Sequence, residues 1–299
     1  MLKYLSYSGH KTFETNPVEY FLKYFCNAPR MAQTDPMAVG SAFDAFIKAE
    51  LYRCLVNGGD PRMTKEALFE MQVEPAARDK GRIAGEDIYK RYVELGGLKD
   101  LLAAMDGCIG EPNFELEITG VIEGVTLLGK PDVHYINRKG KRVIHDFKVM
   151  GYYSNTPPGP KTGYVKIKPG GLAHKDCIFA DHAGHRINAA RPMNLSAKDW
   201  AEQLSIYAWI LGEPRGGDYI LTIDQICCDR VKGHKLVQHA SLVQPEFQED
   251  YFRRIKRNWT AINDGHFFLN MTYEDNLAQC ETLRLTAAKP VSALFRSMT

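Results

Sequence analysis

No C-x-x-C pair occurs in this chain, although it carries seven cysteines: Cys26, Cys54, Cys108, Cys177, Cys227, Cys228 and Cys280. The odd number and irregular spacing argue against a structural zinc site. No stretch approaches the roughly 18 apolar residues that a membrane helix needs. The opening MLKYLSYSGHKTFETN lacks the apolar run of a signal peptide. A cytoplasmic protein with free thiols, away from any membrane, is the simplest expectation. Neither sign of charge dominates, because the formal net charge is only +2. Attraction to a polyanion would therefore have to come from local clustering. Internal repeats are also missing. What remains is 299 residues, 44% hydrophobic and 25% charged, an ordinary globular balance with enough chain for a buried core.

The first third of the sequence reads as helical. Asn16 and Pro17 suit the cap and first position of a helix over 16–24. Val39, Phe43, Phe46, Ile47 and Leu51 recur at helical spacing and predict a helix over 37–56. A polar helical stretch over 63–96 and a shorter helix near 98–105 follow. The period then changes to two. FELEIT (114–119), VTLLGKPDVHYI (125–136) and RVIHDFKVM (142–150) read as strands, the second interrupted at Gly129-Lys130-Pro131. The polar turn at 138–141 joins the last two into an antiparallel hairpin. Residues 151–195 show no periodicity. SAKDWAEQLSIYAWILG (196–212) reads as a helix capped by Ser196, strands follow at 219–226 and 234–242, and a long helix covers 245–263. The last thirty or so residues are weakly patterned. This order predicts an α/β fold, a central mixed β-sheet flanked by helices.

The hairpin concentrates chemistry. Side chains alternate along a strand, so Asp146 and Lys148 share one face, and a turn at 138–141 brings Asp132 opposite them. Phe147 points the other way, while its carbonyl oxygen can turn toward the same place. Two adjacent carboxylates repel unless a cation lies between them. Hard oxygen ligands without a thiolate suit Mg²⁺ or Mn²⁺ rather than zinc. Such an ion activates water and neutralises charge in phosphodiester hydrolysis, with Lys148 placed to orient the water. Surface charges on an ordinary hairpin are the alternative. Against it, Asp146 and Lys148 interrupt an apolar strand, where unpaired charge is costly.

GKPDVHYI followed by VIHDFKV resembles the PD-(D/E)XK nuclease superfamily, in its RecB-like and phage-exonuclease branch. LSYSGHKTFETNPVEYFLKY is similar to the opening helix of that branch, and Gln203-x-x-x-Tyr207 to its Q-x-x-x-Y helix. VGSAFDAFIKA is similar to the helix where the family often has a metal-binding histidine; here that position is Asp44. The resemblance implies a restriction-endonuclease-like core with Asp132, Asp146, Lys148, Gln203 and Tyr207 catalytic. It implies metal ligation by Asp132, Asp146, the Phe147 carbonyl and, as a third side chain, Asp44. It covers about residues 4–265. The chain is then one nuclease domain over 1–299: a helical part to 110, a core over 111–265 with an insertion at 151–195, and a tail from 266. Some branch members hold an iron–sulfur cluster on four cysteines. This spacing does not match, so no cluster is expected.

The resemblance implies Mg²⁺- or Mn²⁺-dependent cleavage of DNA, foremost by an exonuclease acting on ends in recombination, repair or phage DNA metabolism. A structure-specific endonuclease and a non-catalytic DNA- or partner-binding module are the alternatives. A recombination or single-strand annealing protein and a second copy of the chain are the candidate protein partners.

Gln203 and Tyr207 lie four apart and share a helix face, which without the resemblance would read as core. Tyr152, Tyr153 and Ser154 directly follow the hairpin and are candidate substrate contacts. So are Lys161, Lys166 and Lys168 in an insertion where basic residues interleave with aromatics. A solvated loop is an equal reading of that insertion. His134, Glu115 and Glu117 are either close to the site or plain strand residues. Arg253, Arg254, Lys256 and Arg257 read as a solvated helix face, with contact to a DNA backbone as the lesser alternative.

Overall fold

The computed structural model describes residues 2–26, 28, 32–56, 59–114, 117–156, 192–217, 219–231 and 233–287, together with the backbone of 165–166 and 186–187. The chain opens with β1 (Leu5–Ser6), α1 (Tyr7–Thr15), α2 (Pro17–Tyr24) and α3 (Asp35–Leu55). The Ser6 hydroxyl caps α1 by accepting the Gly9 N–H at 3.1 Å, and Asn16 Oδ1 caps α2 by accepting the Glu19 N–H at 3.1 Å.

The predicted polar stretch at 63–96 divides into α4 (Lys65–Gln72) and α5 (Arg78–Glu94). Pro75 separates them, opening a single 3-10 turn. Then come α6 (Gly97–Met105), β2 (Ile109–Phe114), β3 (Ile118–Ile122), β4 (Val125–Gly129), β5 (Val133–Ile136) and β6 (Arg142–Met150). After the short pair β7 (Val165–Lys166) and β8 (Arg186–Ile187) follow α7 (Met193–Ser196), α8 (Lys198–Ile210), β9 (Ile220–Cys227), β10 (Lys235–Ser241), α9 (Pro245–Asn263) and α10 (Tyr273–Ala287).

Two sheets form. The larger runs β2-β5-β6-β9-β10-β8-β7 and the smaller β1-β4-β3. Strands β5 and β6 pair antiparallel, β6 and β9 parallel, and β9 and β10 antiparallel, so the larger sheet is mixed. This is the predicted α/β class.

Four details differ from the sequence reading. The expected strand at 114–119 ends at Phe114 and restarts at Ile118 in the other sheet. The expected strand at 125–136 likewise splits, with β4 in the small sheet and β5 in the large one. Alternating patterns cannot reveal such crossings, because both halves keep the same period. Pro112 fits because β2 is an edge strand. Ser196 does not cap α8: its hydroxyl bonds the Met193 carbonyl at 3.3 Å within α7, and Ala197 occupies the cap. The weakly patterned tail contains α10, which buries only Asn276 and Cys280. Asn276 Oδ1 accepts the Phe267 and Phe268 N–H groups at 2.8 and 3.1 Å, tethering the helix through a polar side chain.

Every residue of β9 is buried, as expected for a strand covered on both faces. On one face, α3 and α5 pack Phe43, Ile47, Ile88 and Tyr92 onto Val143, Phe147 and Ile226. On the other, α8 and α9 pack Leu204, Ala208, Tyr251 and Ile255 with Ile144, Leu221 and Ile223. Among the described residues, no helix is long and apolar enough to cross a membrane.

Candidate active site

The β5–β6 hairpin sets the geometry. Asn137 Oδ1 accepts the N–H groups of Lys139 and Lys141, both at 3.0 Å, and Gly140 takes the left-handed conformation (φ +76) that closes the turn. Pairing runs from Ile136↔Arg142 to Val133↔His145. One further step places Asp132 opposite Asp146. There Asp132 Oδ2 accepts the Phe147 N–H at 2.9 Å.

Alternation along β6 directs Asp146 and Lys148 to one face, where they form an ion pair. Phe147 faces the other way and packs edge-on against Phe43, with ring centroids 5.6 Å apart. Helix α8 supplies the next contacts. Gln203 Oε1 accepts from Lys148 Nζ at 3.0 Å, and Gln203 Nε2 donates to the Tyr207 hydroxyl at 2.8 Å. Helix α3 supplies Asp44 and Lys48, one turn apart on one face. Lys48 is fully buried, and its Nζ lies 2.6 Å from Asp44 Oδ2 and 3.1 Å from Asp132 Oδ1.

Asp44, Asp132, Asp146, Phe147, Lys148 and Gln203 line a cavity of about 720 Å³, bounded also by Met37, Met71, Gln72 and Lys130. Burial and mutual repulsion separate the two hairpin carboxylates. Burial alone would raise Asp132; the Lys48 and Lys148 ammoniums and the Phe147 N–H outweigh it and hold the group down to about 2. Burial and the neighbouring Asp132 charge push Asp146 up to about 7, against the pull of Lys148. Burial pulls Lys148 down, but Asp146 and Asp132 more than offset it and raise the ammonium above its usual range. Burial, and then Asp146, raises Tyr207, which stays a neutral phenol. The two hairpin carboxylates, Asp146 buried and Asp132 partly exposed, lie side by side and form a hard-oxygen site that suits a divalent cation. Among the described residues, no three His, Cys, Asp or Glu side chains converge as a ready cluster. The Lys48 ammonium stands between Asp44 and Asp132.

The sequence pattern of the PD-(D/E)XK nuclease superfamily matches residues 4–162, which includes the whole hairpin and α3. The chain belongs to the PD-(D/E)XK nuclease superfamily. Nucleases of this superfamily use divalent metal ions, and DNA is the substrate that membership implies. No curated protein matches the chain. Among solved structures, a candidate exonuclease from Eubacterium rectale is similar at 16% identity, over 88% of this chain and 82% of the other, with a TM-score of 0.49. SSO0001 is similar at 11% identity over 94% and 95%, with a TM-score of 0.28.

Within this nuclease, Asp44, Asp132, Asp146, Phe147, Lys148 and Gln203 all border the one cavity, and Tyr207 adjoins it through Gln203. Tyr152, Tyr153 and Ser154 do not line it. Gly151, at φ +83, turns the chain away after β6. Tyr152 then donates to Asp87 Oδ2 at 3.1 Å in a separate depression of about 380 Å³ that also holds His234 and Arg230. Tyr153 is exposed, and the Ser154 hydroxyl bonds the Thr156 carbonyl at 2.8 Å. Lys161 and Lys168 lie outside the described residues, as does Glu115; for Lys166 only the backbone, in β7, is described. His134 is buried, and burial pushes its imidazole down to about 4. Glu117 is exposed. The reading of residues 253–257 as a solvated face needs correction at Arg254. Its guanidinium bonds Glu14 at 2.9 Å and the fully buried Glu202 at 2.5 Å, joining α1, α8 and α9.

Sequence reasoning passed over Lys48. Its signal was a lysine four residues after Asp44, inside the apolar run Phe43–Leu51 of α3.

Proposed function

We propose that this nuclease hydrolyses DNA phosphodiesters in a Mg²⁺- or Mn²⁺-dependent reaction, with Asp132, Asp146 and Lys148 at its catalytic centre. The observation that carries the reading is the Asp146–Lys148 ion pair held beside Asp132 on an open cavity by the β5–β6 register. Asp132, Asp146 and the Phe147 carbonyl would hold the ion, with Asp44 as a further carboxylate on the same cavity. When bound, the ion supplies Lewis-acid activation of water and neutralises charge developing on the phosphoryl oxygens. Lys148 places an ammonium beside the attacked phosphate, where it stabilises the added negative charge and orients the incoming water. Gln203 fixes that ammonium by accepting a hydrogen bond from it. Tyr207, kept neutral by burial, fixes Gln203 in turn.

Attack on DNA ends is the preferred mode. It rests on the resemblance of the G-x-x-x-D and Q-x-x-x-Y segments to the RecB-like and phage-exonuclease branch. The deciding assay is incubation of linear and of covalently closed circular duplex DNA with Mg²⁺, with Mn²⁺ and with EDTA. Metal-dependent loss of linear DNA alone supports an exonuclease. Nicking or opening of the circle replaces that with an endonuclease. Absence of cleavage with every divalent metal removes the catalytic reading.

A further inference from the structure

We infer that Lys48 permanently fills one of the cation positions of this site, so that the nuclease holds a single divalent ion. The inference rests on the catalytic reading above and specifies its metal content. Its basis is the bridge from Asp44 Oδ2 (2.6 Å) through Lys48 Nζ to Asp132 Oδ1 (3.1 Å). A cation between two carboxylates offsets their mutual repulsion. Here a covalently attached ammonium does it, from a side chain with no solvent exposure.

Its position is over-determined. Lys48 follows Asp44 by one helical turn of α3, and its neighbours Phe43, Phe46, Ile47 and Leu51 are all buried. Withdrawal to solvent would require α3 to leave the sheet. The ion pair is therefore part of the core rather than a movable surface contact. A buried ammonium stripped of its partners is strongly unfavourable, and Lys48 is held by a carboxylate at each side.

Charge counting agrees. Asp44, Asp132 and Asp146 contribute −3, and Lys48 and Lys148 contribute +2, leaving −1. One divalent ion brings the pocket to +1, and a phosphodiester brings it to zero. Two divalent ions with the same phosphodiester would leave +2 in the cavity, with no further carboxylate among its lining residues to offset it. A site with three acids and Lys148 alone would start at −2, and two ions with the same phosphodiester would leave +1 rather than +2. Lys48 is the difference.

The test counts Mn²⁺ bound to the full-length protein by equilibrium dialysis, with electron paramagnetic resonance of the same samples. Wild type is expected to bind one Mn²⁺ per chain, and Asp146→Asn to lose it. Lys48→Ala is expected to bind two, and Lys48→Arg, which keeps the charge, one. In EDTA, Lys48→Ala should melt on the order of 10 °C below wild type, with most of the loss recovered on adding Mn²⁺. Two ions in wild type overturn the inference and leave the nuclease site intact. No ion in wild type overturns the catalytic reading itself. One ion in both wild type and Lys48→Ala shows that the lysine does not set the count. The wild-type stoichiometry decides even where a variant fails to fold.

Discussion

Lys148 Nζ donates to Gln203 Oε1 at 3.0 Å, across the space between β6 and α8. An ammonium that ion-pairs with Asp146 on its own strand is thereby aimed from a second element. Lys148→Ala removes the only group of the hairpin placed to carry positive charge to the phosphate. Cleavage should fall by about 10²- to 10³-fold, the range seen when a single electrostatic stabiliser of the transition state is lost. The fold and DNA binding should persist, as read by circular dichroism and by gel shift in Ca²⁺. A variant that still cleaves at a tenth of the wild-type rate would remove Lys148 from the mechanism.

Gln203→Ala acts one step back, because it leaves Lys148 in place and releases its aim. The expected loss is roughly 10- to 100-fold in kcat with KM nearly unchanged, on the scale of one to two charge-assisted hydrogen bonds. Gln203→Glu keeps the acceptor for Lys148 and should recover part of the rate. Equal rates for the alanine and glutamate variants would show that the contact has no positioning role.

Gly129 lies under the Tyr207 ring. A Cβ at this position would meet Tyr207 Cδ1 at 2.6 Å and Ile210 Cδ1 at 3.2 Å. Gly129→Ala must push the ring, and with it the hydroxyl that accepts from Gln203. Overpacking of this kind costs about 1–3 kcal/mol, so a fall in melting temperature and a loss of kcat are both expected. In the Tyr207→Ala background the same change should lower the melting temperature far less. Equal penalties in the two backgrounds would place the clash elsewhere.

Much of this site was legible without coordinates because it depends on local periodicity. Alternation along 142–150 puts Asp146 and Lys148 together, and the turn at 138–141 fixes what lies opposite. Spacing of four gives Gln203 and Tyr207 a common face. What stayed hidden depends on tertiary partners. Lys48 reads as an ordinary helical lysine until Asp132, distant in sequence, is seen to meet it. Tyr152 follows the catalytic strand directly, yet the left-handed Gly151 sends it toward Asp87. The division of 114–136 between two sheets leaves no mark on the pattern, since each piece keeps the period of a strand. Asp132 sits at one of those crossings, beside Pro131, and the break in the strand is the one trace visible in sequence.

Asp224 sets a pH dependence of stability that is separable from the catalytic carboxylates. It is buried in β9, aligned with Phe147 of β6, and accepts from the Tyr92 hydroxyl at 2.5 Å. Burial raises its carboxyl to about 7, assisted by Asp100 and opposed by the Tyr92 hydrogen bond, from an ordinary value of 3.8. A carboxyl raised on folding contributes stability that is complete below its unfolded pKa and is lost as pH rises through the folded one. The window therefore runs from about pH 4 to just above pH 7. Three units correspond to a ceiling of about 4 kcal/mol, and local relaxation should leave roughly half of it. Asp224→Asn keeps an acceptor for Tyr92 and does not titrate. Its melting temperature relative to wild type should therefore climb by roughly 4–8 °C between pH 5 and pH 8.5. The active-site carboxylates are common to both proteins and cancel in that difference, which a thermal-shift series in EDTA measures. A difference that stays constant across the series would mean that Asp224 does not change protonation there, and that the Tyr92 contact holds the ionised form throughout.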